Sequence, residues 1–470
     1  MKIIIANPYL SLSMGGGAIL PRQMAHSLKS LGIDVTLLGL SLELSTDKTG
    51  FLRTEIEGIP SYMAPTENFL RYGHYPNYGL LRPNEPLKRA FARLLDESGV
   101  DLVHCISLIG LGPLVEAAFE RLIPCVYTTI DFGTVCLNQI QLYHDGTGYI
   151  FSKNGERCAG PNASKCLICQ KMRFSWPLFF LGAVMRYTTM RGWRRILGST
   201  YVRLAENLTR FPLADYLVPM VADAREYMHK ILFMLSRCVS PSPAAREALE
   251  RAGFPREQIS DIVYGIADEA LLKRKRRPGL PLQDRDLFIG YFGSIAKHKG
   301  VHVLIDAFCQ IALENRVCLM LCVSGGHGVE DLLRDVRHRG TARQLIASDR
   351  IQIYWNCANE EYFKHMAEVD VSVIPTLVCE WPLVLLESLA QGTPCIVSEG
   401  HGMSHIVRPG ISGECFEQGS VEALSQVILG LLRTPEQIGC WRKNLFIPYS
   451  QEQYARSLSG LYGNLLKAEM

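Results

Sequence analysis

Residues 2–40 read KIIIANPYLSLSMGGGAILPRQMAHSLKSLGIDVTLLGL, and the order of elements in this stretch decides the fold. Lys2 to Ala6 is of strand length and apolar from Ile3 on, stopped by Asn7-Pro8. The glycine-rich loop SMGGGA follows, ILPRQMAHSLKSLG then reads as a helix closed by Gly32, and DVTLLGL reads as a second strand. Strand, loop, helix and strand in this order predict a parallel, doubly wound sheet. GVDLVHCIS, PCVYTTID, YLVPM and RCVSPS continue the series of short apolar strands, and ISDIVYGI closes it.

The segment LLKRKRRPGLPLQDRD, from Leu271, breaks the pattern. It is basic, contains proline and has no apolar period, which marks it as a linker. The strand–helix order then restarts with LFIGYFG, HVLIDAFCQIALE, VCLMLCVSGG, IQIYW, VSVIPT, VLLESLAQG, PCIVSE and GECFE. The fold expected is α/β, with two Rossmann-like domains whose parallel sheets face a central cleft. Ligands of such sheets bind at the carboxyl ends of the strands.

Composition narrows the class. A chain of 470 residues with 48% hydrophobic content is too long for one ordinary core. Its net charge of +3 gives no ground to expect a nucleic acid partner. The four-residue apolar run at the start is too short for a signal peptide. The longest apolar segment elsewhere, FSWPLFFLGAVM from Phe174, is too short to span a bilayer. A cytoplasmic protein is expected.

Two stretches of the second half carry candidate chemistry. In YFGSIAKHKGVHVLIDAF, Gly293 ends a strand and Lys299-Gly300 opens a helix. A helix start offers amide groups and partial positive charge, and a lysine beside it suits a diphosphate. The bland alternative is a solvated lysine in a loop. In VCEWPLVLLESLAQGTPCIV, residues 378–397, Pro382 suits a helix start and Gly392 its end. Glu380 precedes that helix and Glu387 lies within it. Both carboxylates could accept hydrogen bonds from sugar and ribose hydroxyls. Alternatively, one complements the helix dipole and the other is a satisfied, half-buried acid.

Together GSIAKHKG, the SVIPT…PLVLLESLAQGTPCIV block and the N-terminal GGG loop resemble the family 4 retaining glycosyltransferases of the GT-B fold, over nearly the whole chain. The resemblance implies transfer of a sugar from a UDP- or GDP-linked donor to a glycan or polyprenyl-diphosphate-linked acceptor. It implies that residues 1–270 form the acceptor-side domain and 271–284 the linker. Residues 285–445 would form the nucleotide-sugar domain, and a helix over 446–470 would return to the first domain. Lys299 would contact the donor diphosphate, Glu387 the ribose and Glu380 the donor sugar. Gly16, Gly17, Gly293, Ser294, Pro382, Leu383 and Val384 would line the donor. Asp131 is the remaining catalytic candidate.

The chain departs from the family pattern at several points. Six residues separate the two glutamates where seven are usual. Anchoring on Pro375 therefore selects Glu380, and anchoring on Glu387 selects Cys379. Ser294 stands where the family has arginine, and Ile130-Asp131 where it has His-Asp. These losses support a second reading, a non-catalytic nucleotide-sugar-binding or scaffold homologue. The implied step is a front-face transfer assisted by the leaving diphosphate, and no catalytic metal is expected.

Cys136, Cys158, Cys166 and Cys169 cluster in an insert spanning about 136–200. Four thiolates including a C-x-x-C pair fit a structural zinc or an iron–sulfur cluster, with disulfides as the alternative in an oxidising compartment. After them, KMRFSWPLFFLGAVMRYTTMRGWRRILG interleaves arginines with Trp176, Phe179, Phe180 and Trp193. That pattern suits either a helix packed on the sheet or one lying on a membrane surface, which would place the protein peripherally on the inner face.

Overall fold

The computed structural model describes residues 1–8, 10, 16–41, 51–65, 83–130, 223–224, 226–267, 271, 285–326, 328–377, 382–399, 402–446 and 448–468. Two sheets organise them. The first contains β1 (Lys2–Ala6), β2 (Asp34–Ser41), β3 (Leu52–Ile56), β4 (Ile59–Pro65), β5 (Leu102–Cys105), β6 (Cys125–Thr128), β7 (Arg237–Ser240) and β8 (Ile259–Asp261). Their order is β3-β4-β2-β1-β5-β6-β7-β8. All neighbours are parallel except β3 and β4, which form an antiparallel hairpin.

The opening strand explains why its run is continuously apolar. Ile3 and Ile5 enter one core cluster, and Ile4 and Ala6 enter another on the opposite face. A strand buried on both faces has no side to leave polar.

The second sheet contains β9 (Leu287–Ser294), β10 (Val317–Ser324), β11 (Ile351–Trp355), β12 (Val371–Ile374), β13 (Cys395–Ser398) and β14 (Gly413–Phe416). Its order is β11-β10-β9-β12-β13-β14, parallel throughout. It too is covered on both faces: Leu319, Leu321 and Val323 of β10 join one cluster, Met320 and Cys322 the other.

The sequence-based strands and helices of the second half match these elements closely. YLVPM and the cysteine-rich insert lie outside the described residues. The β3–β4 hairpin is an addition that the sequence reading does not contain. Its two-residue turn is Glu57-Gly58, with φ of 51° and 76°. Both values are positive, the conformation that gives a two-residue loop the twist of its flanking strands.

The chain ends in a helix, Gln451–Ala468, that packs beside the first helix, Gly16–Ser30. Tyr454, Leu458 and Tyr462 share a core with Leu20, Met24 and Leu28. Polar contacts fix the return. The Ile266 amide bonds the Tyr449 carbonyl at 3.0 Å, and Gln451 Nε2 donates to the Gly265 carbonyl at 2.9 Å. Deeper in, His104 Nδ1 lies 2.5 Å from the Tyr462 hydroxyl and His104 Nε2 lies 2.7 Å from Thr128 Oγ1. Burial pushes the His104 pKa down to about 3, so the ring is neutral and offers one donor and one acceptor to these hydroxyls. Among the described residues, no helix is long and apolar enough to cross a membrane.

Candidate active site

The carboxyl ends of β9 and β12, neighbours in the second sheet, bring the two sequence motifs together. After Gly293 and Ser294 at the end of β9, the chain makes a short 3₁₀ turn, Lys297–Lys299. The helix Val301–Ile311 follows. Gly300 joins the two at φ 72°, the left-handed region that favours glycine. A Cβ on Gly300 would stand 1.8 Å from the Pro375 carbonyl oxygen. No side chain but hydrogen fits there. The contact is fixed from the other side by the Leu377 amide, which donates to the His298 carbonyl at 2.8 Å. The loop carrying Lys299 is thereby fastened to the end of β12.

Lys299 itself is half-buried. No ion pair among the described residues engages it, so its charge is available to a ligand. The Tyr291 hydroxyl donates to the Ser294 carbonyl at 2.6 Å and holds the strand end in place.

Pro382 is buried and extended, with φ −72° and ψ 118°, and is the last residue before the helix Leu383–Ala390. Proline there has no amide to lose. No side chain among the described residues caps this helix start. Leu383 and Val384, both half-buried, form its first turn. Gly392 closes the helix end at φ 73°.

Glu387 sits one turn into that helix. Its Oε2 accepts a hydrogen bond from the Tyr362 hydroxyl at 3.0 Å. Tyr362 belongs to a different helix, Asn359–Glu368, and its ring meets Phe292 of β9 edge-on at 5.5 Å. Burial pushes the Glu387 carboxyl up to about 7, against the lowering effect of the tyrosine hydrogen bond. The same burial, together with the facing carboxylate, pushes the Tyr362 hydroxyl well above its ordinary range, so it stays a donor. Near neutrality Glu387 thus exchanges its proton and, once ionised, has acceptor capacity beyond the one bond from Tyr362.

The geometry assembles Gly293, Ser294, Lys299, Pro382, Leu383, Val384 and Glu387 from two adjacent strand ends. Gly16 and Gly17 open the first helix of the other domain. Asp131, Cys379, Glu380, Cys136, Cys158, Cys166 and Cys169 lie outside the described residues. The sequence reading missed Tyr362, which belongs to none of the quoted motifs, and it used Pro375 of SVIPT only as an anchor, without the contact its carbonyl makes to Gly300.

Comparison with known proteins agrees with this architecture. Residues 273–445 match the family profile of glycosyl transferases group 1. Among curated proteins the chain is similar to alpha-D-kanosaminyltransferase of Streptomyces kanamyceticus, at 23% identity over 46% of this chain and 53% of that protein. It is also similar to the capsular polysaccharide biosynthesis glycosyltransferase CapM of Staphylococcus aureus, at 25% identity over 60% of this chain and 71% of CapM. A third relative, the amylovoran biosynthesis glycosyltransferase AmsK of Erwinia amylovora, is 25% identical over 38% of this chain and 43% of its own length. The chain thus spans about half the length of several curated relatives that it matches. Among solved structures, sucrose-phosphate synthase of Thermosynechococcus elongatus superposes with a TM-score of 0.64 at 17% identity, over 99% of both chains. Anabaena HepE, solved with UDP and glucose, gives 0.60 at 16% identity, over 98% of this chain and 99% of that one. Architecture and family match agree: the chain has the GT-B fold, and its residues 273–445 match the glycosyl transferases group 1 profile.

Proposed function

We propose that the protein transfers a sugar from a nucleotide sugar to a glycan or lipid-linked glycan acceptor, with retention of anomeric configuration. The observation that carries this reading is the fastening of the Lys299-Gly300 turn onto the end of β12, next to the helix that holds Glu387. One cation and a helix start that no described side chain caps suit a diphosphate, and a carboxylate behind them suits a pair of hydroxyls. HepE, which shares the fold, has been solved with UDP-glucose. That likeness supports a nucleotide sugar as donor.

In the proposed step the bond between the sugar's anomeric carbon and the diphosphate oxygen breaks. An acceptor hydroxyl forms the new bond on the same face, and its proton passes to the departing diphosphate. Lys299 Nζ stabilises the negative charge that grows on that group. Glu387 holds the ribose so that the sugar is placed for attack, and Tyr362 orients Glu387. Positioning and charge stabilisation are then the protein's main contributions.

The test is incubation of purified protein with a panel of labelled UDP- and GDP-sugars, with and without bacterial membranes as acceptor source. The reading expects label in a glycan or lipid fraction with one donor. Binding of a nucleotide sugar without transfer to any fraction would instead favour the non-catalytic reading.

A further inference from the structure

Away from the strand ends that carry Lys299 and Glu387, a cavity of about 430 Å³ lies between the two domains. One wall is the end of β7 and the start of the helix Pro243–Arg251, which carries Arg246, together with Asp261 at the end of β8. The opposite wall is the segment following β13, with His405 and Arg408. The crossover toward the C-terminal helix supplies Phe446 and Tyr449. None of these residues belongs to the candidate active site.

The charge around the cavity is unbalanced. Arg246 lies 2.9 Å from Asp261 and 3.9 Å from Glu250. Arg256 shares both partners, at 2.8 Å and 3.4 Å. These two arginines and two carboxylates cancel as a group. Arg408 is exposed and forms no ion pair among the described residues, and His405 beside it is exposed as well. Among the described residues the cavity therefore carries surplus positive charge on the wall of the second domain, facing an arginine of the first. Phe446 and Tyr449 line it while remaining 36% and 45% exposed, so their rings are accessible to a ligand. Aromatic faces flanking guanidinium groups suit a molecule with an apolar ring face and a compact anion. The volume is that of a small-molecule site.

We propose that this interdomain cavity binds a small phosphate monoester, with Arg408 and Arg246 engaging separate phosphate oxygens from opposite domains. Guanidinium groups match phosphate oxygens in geometry and remain charged at all physiological pH values. A ligand held by both domains also links them.

Isothermal titration calorimetry of the full chain, with inorganic phosphate and with a hexose 6-phosphate, tests this. Both probes are expected to bind, the sugar phosphate more tightly. Arg408→Gln is expected to weaken both at least tenfold, and Tyr449→Ala to weaken the sugar phosphate alone. Arg408 makes no ion pair among the described residues whose loss would unfold the chain, and circular dichroism of the variant confirms that it is folded. Lys299→Ala is expected to leave phosphate monoester binding unchanged, which separates this cavity from the proposed donor site. No heat from either probe at millimolar concentration would overturn the proposal. So would unchanged affinity in folded Arg408→Gln, or loss of binding in Lys299→Ala alone.

Discussion

The Tyr362 hydroxyl donates to Glu387 Oε2 at 3.0 Å, across two helices that belong to different strand–helix units of the second sheet. The pair places a carboxylate with a pKa of about 7, raised by burial from an ordinary 4.5, behind the strand ends where a ligand is expected. The folded protein holds this proton to higher pH than the unfolded chain does. The stability it contributes is therefore complete below about pH 4.5 and is lost as pH rises through about 7.

Glu387→Gln should accordingly flatten part of the stability–pH curve. The melting temperature of the variant relative to the parent is expected to rise between pH 5 and pH 8. Tyr362→Phe removes the bond that favours the ionised form and should move the parent's fall to higher pH. A constant difference between parent and Glu387→Gln across that range would show that the carboxyl is not shifted.

Gly300→Ala tests the fastening of the lysine loop. The substitution meets both a left-handed backbone and the Pro375 carbonyl at 1.8 Å. Backbone strain of about 1–2 kcal/mol and overpacking of about 1–3 kcal/mol should add. Gly325→Ala is the comparison: its φ is 77°, but nothing lies within 4 Å of the added Cβ. It should cost about 1–2 kcal/mol, from backbone strain alone. Denaturant unfolding of the two variants measures the difference, and equal costs would mean that the Pro375 carbonyl does not constrain the loop.

The cysteine-rich insert gives a prediction independent of the sheets. Purified protein is expected to carry one zinc ion or one iron–sulfur cluster per chain, bound through Cys136, Cys158, Cys166 and Cys169. Elemental analysis with an absorption spectrum distinguishes the two. Metal-free protein whose four thiols titrate freely in the native state would reject the site.

Much of the fold was legible because strands buried on both faces leave unbroken apolar runs, as in Lys2–Ala6 and Val317–Ser324. The β3–β4 hairpin was not read, since β3 carries Arg53, Thr54 and Glu55 on an exposed edge and shows no apolar run. Its one local signal was Glu57-Gly58, a turn pair less distinctive than Asn-Gly or Asp-Gly. In the candidate site, Lys299 and Glu387 announced themselves through helix-start and helix-end residues nearby. Tyr362 did not, because it lies 25 residues before its partner on another helix. The requirement for glycine at 300 was likewise hidden, as it comes from the carbonyl of Pro375, far along the chain, rather than from the turn alone.

The spacing of the two glutamates leaves one choice between neighbours. If Glu380 touches the donor sugar, Glu380→Gln should lower turnover, about tenfold for each 1.4 kcal/mol of transition-state stabilisation removed. If it only complements the helix dipole, the change should cost about 0.3–1 kcal/mol of stability and leave the rate alone. Cys379→Ala run in parallel completes the comparison. We expect the fall in turnover to come from Glu380→Gln. Transfer at the parent rate by that variant would rule out the two-glutamate reading.

Lys299→Ala probes the central claim most directly. The side chain is half-buried, ends a short turn and makes no ion pair among the described residues, so its removal should barely alter the melting temperature. A charge-assisted bond to a diphosphate is worth about 1.5–3 kcal/mol, or ~10- to 100-fold in nucleotide-sugar affinity. The measurement is sugar transfer and nucleotide-sugar binding by Lys299→Ala beside the parent protein, each confirmed folded. The account predicts that binding weakens by that factor and transfer falls at least as far. A folded Lys299→Ala protein that binds and transfers like the parent would contradict it.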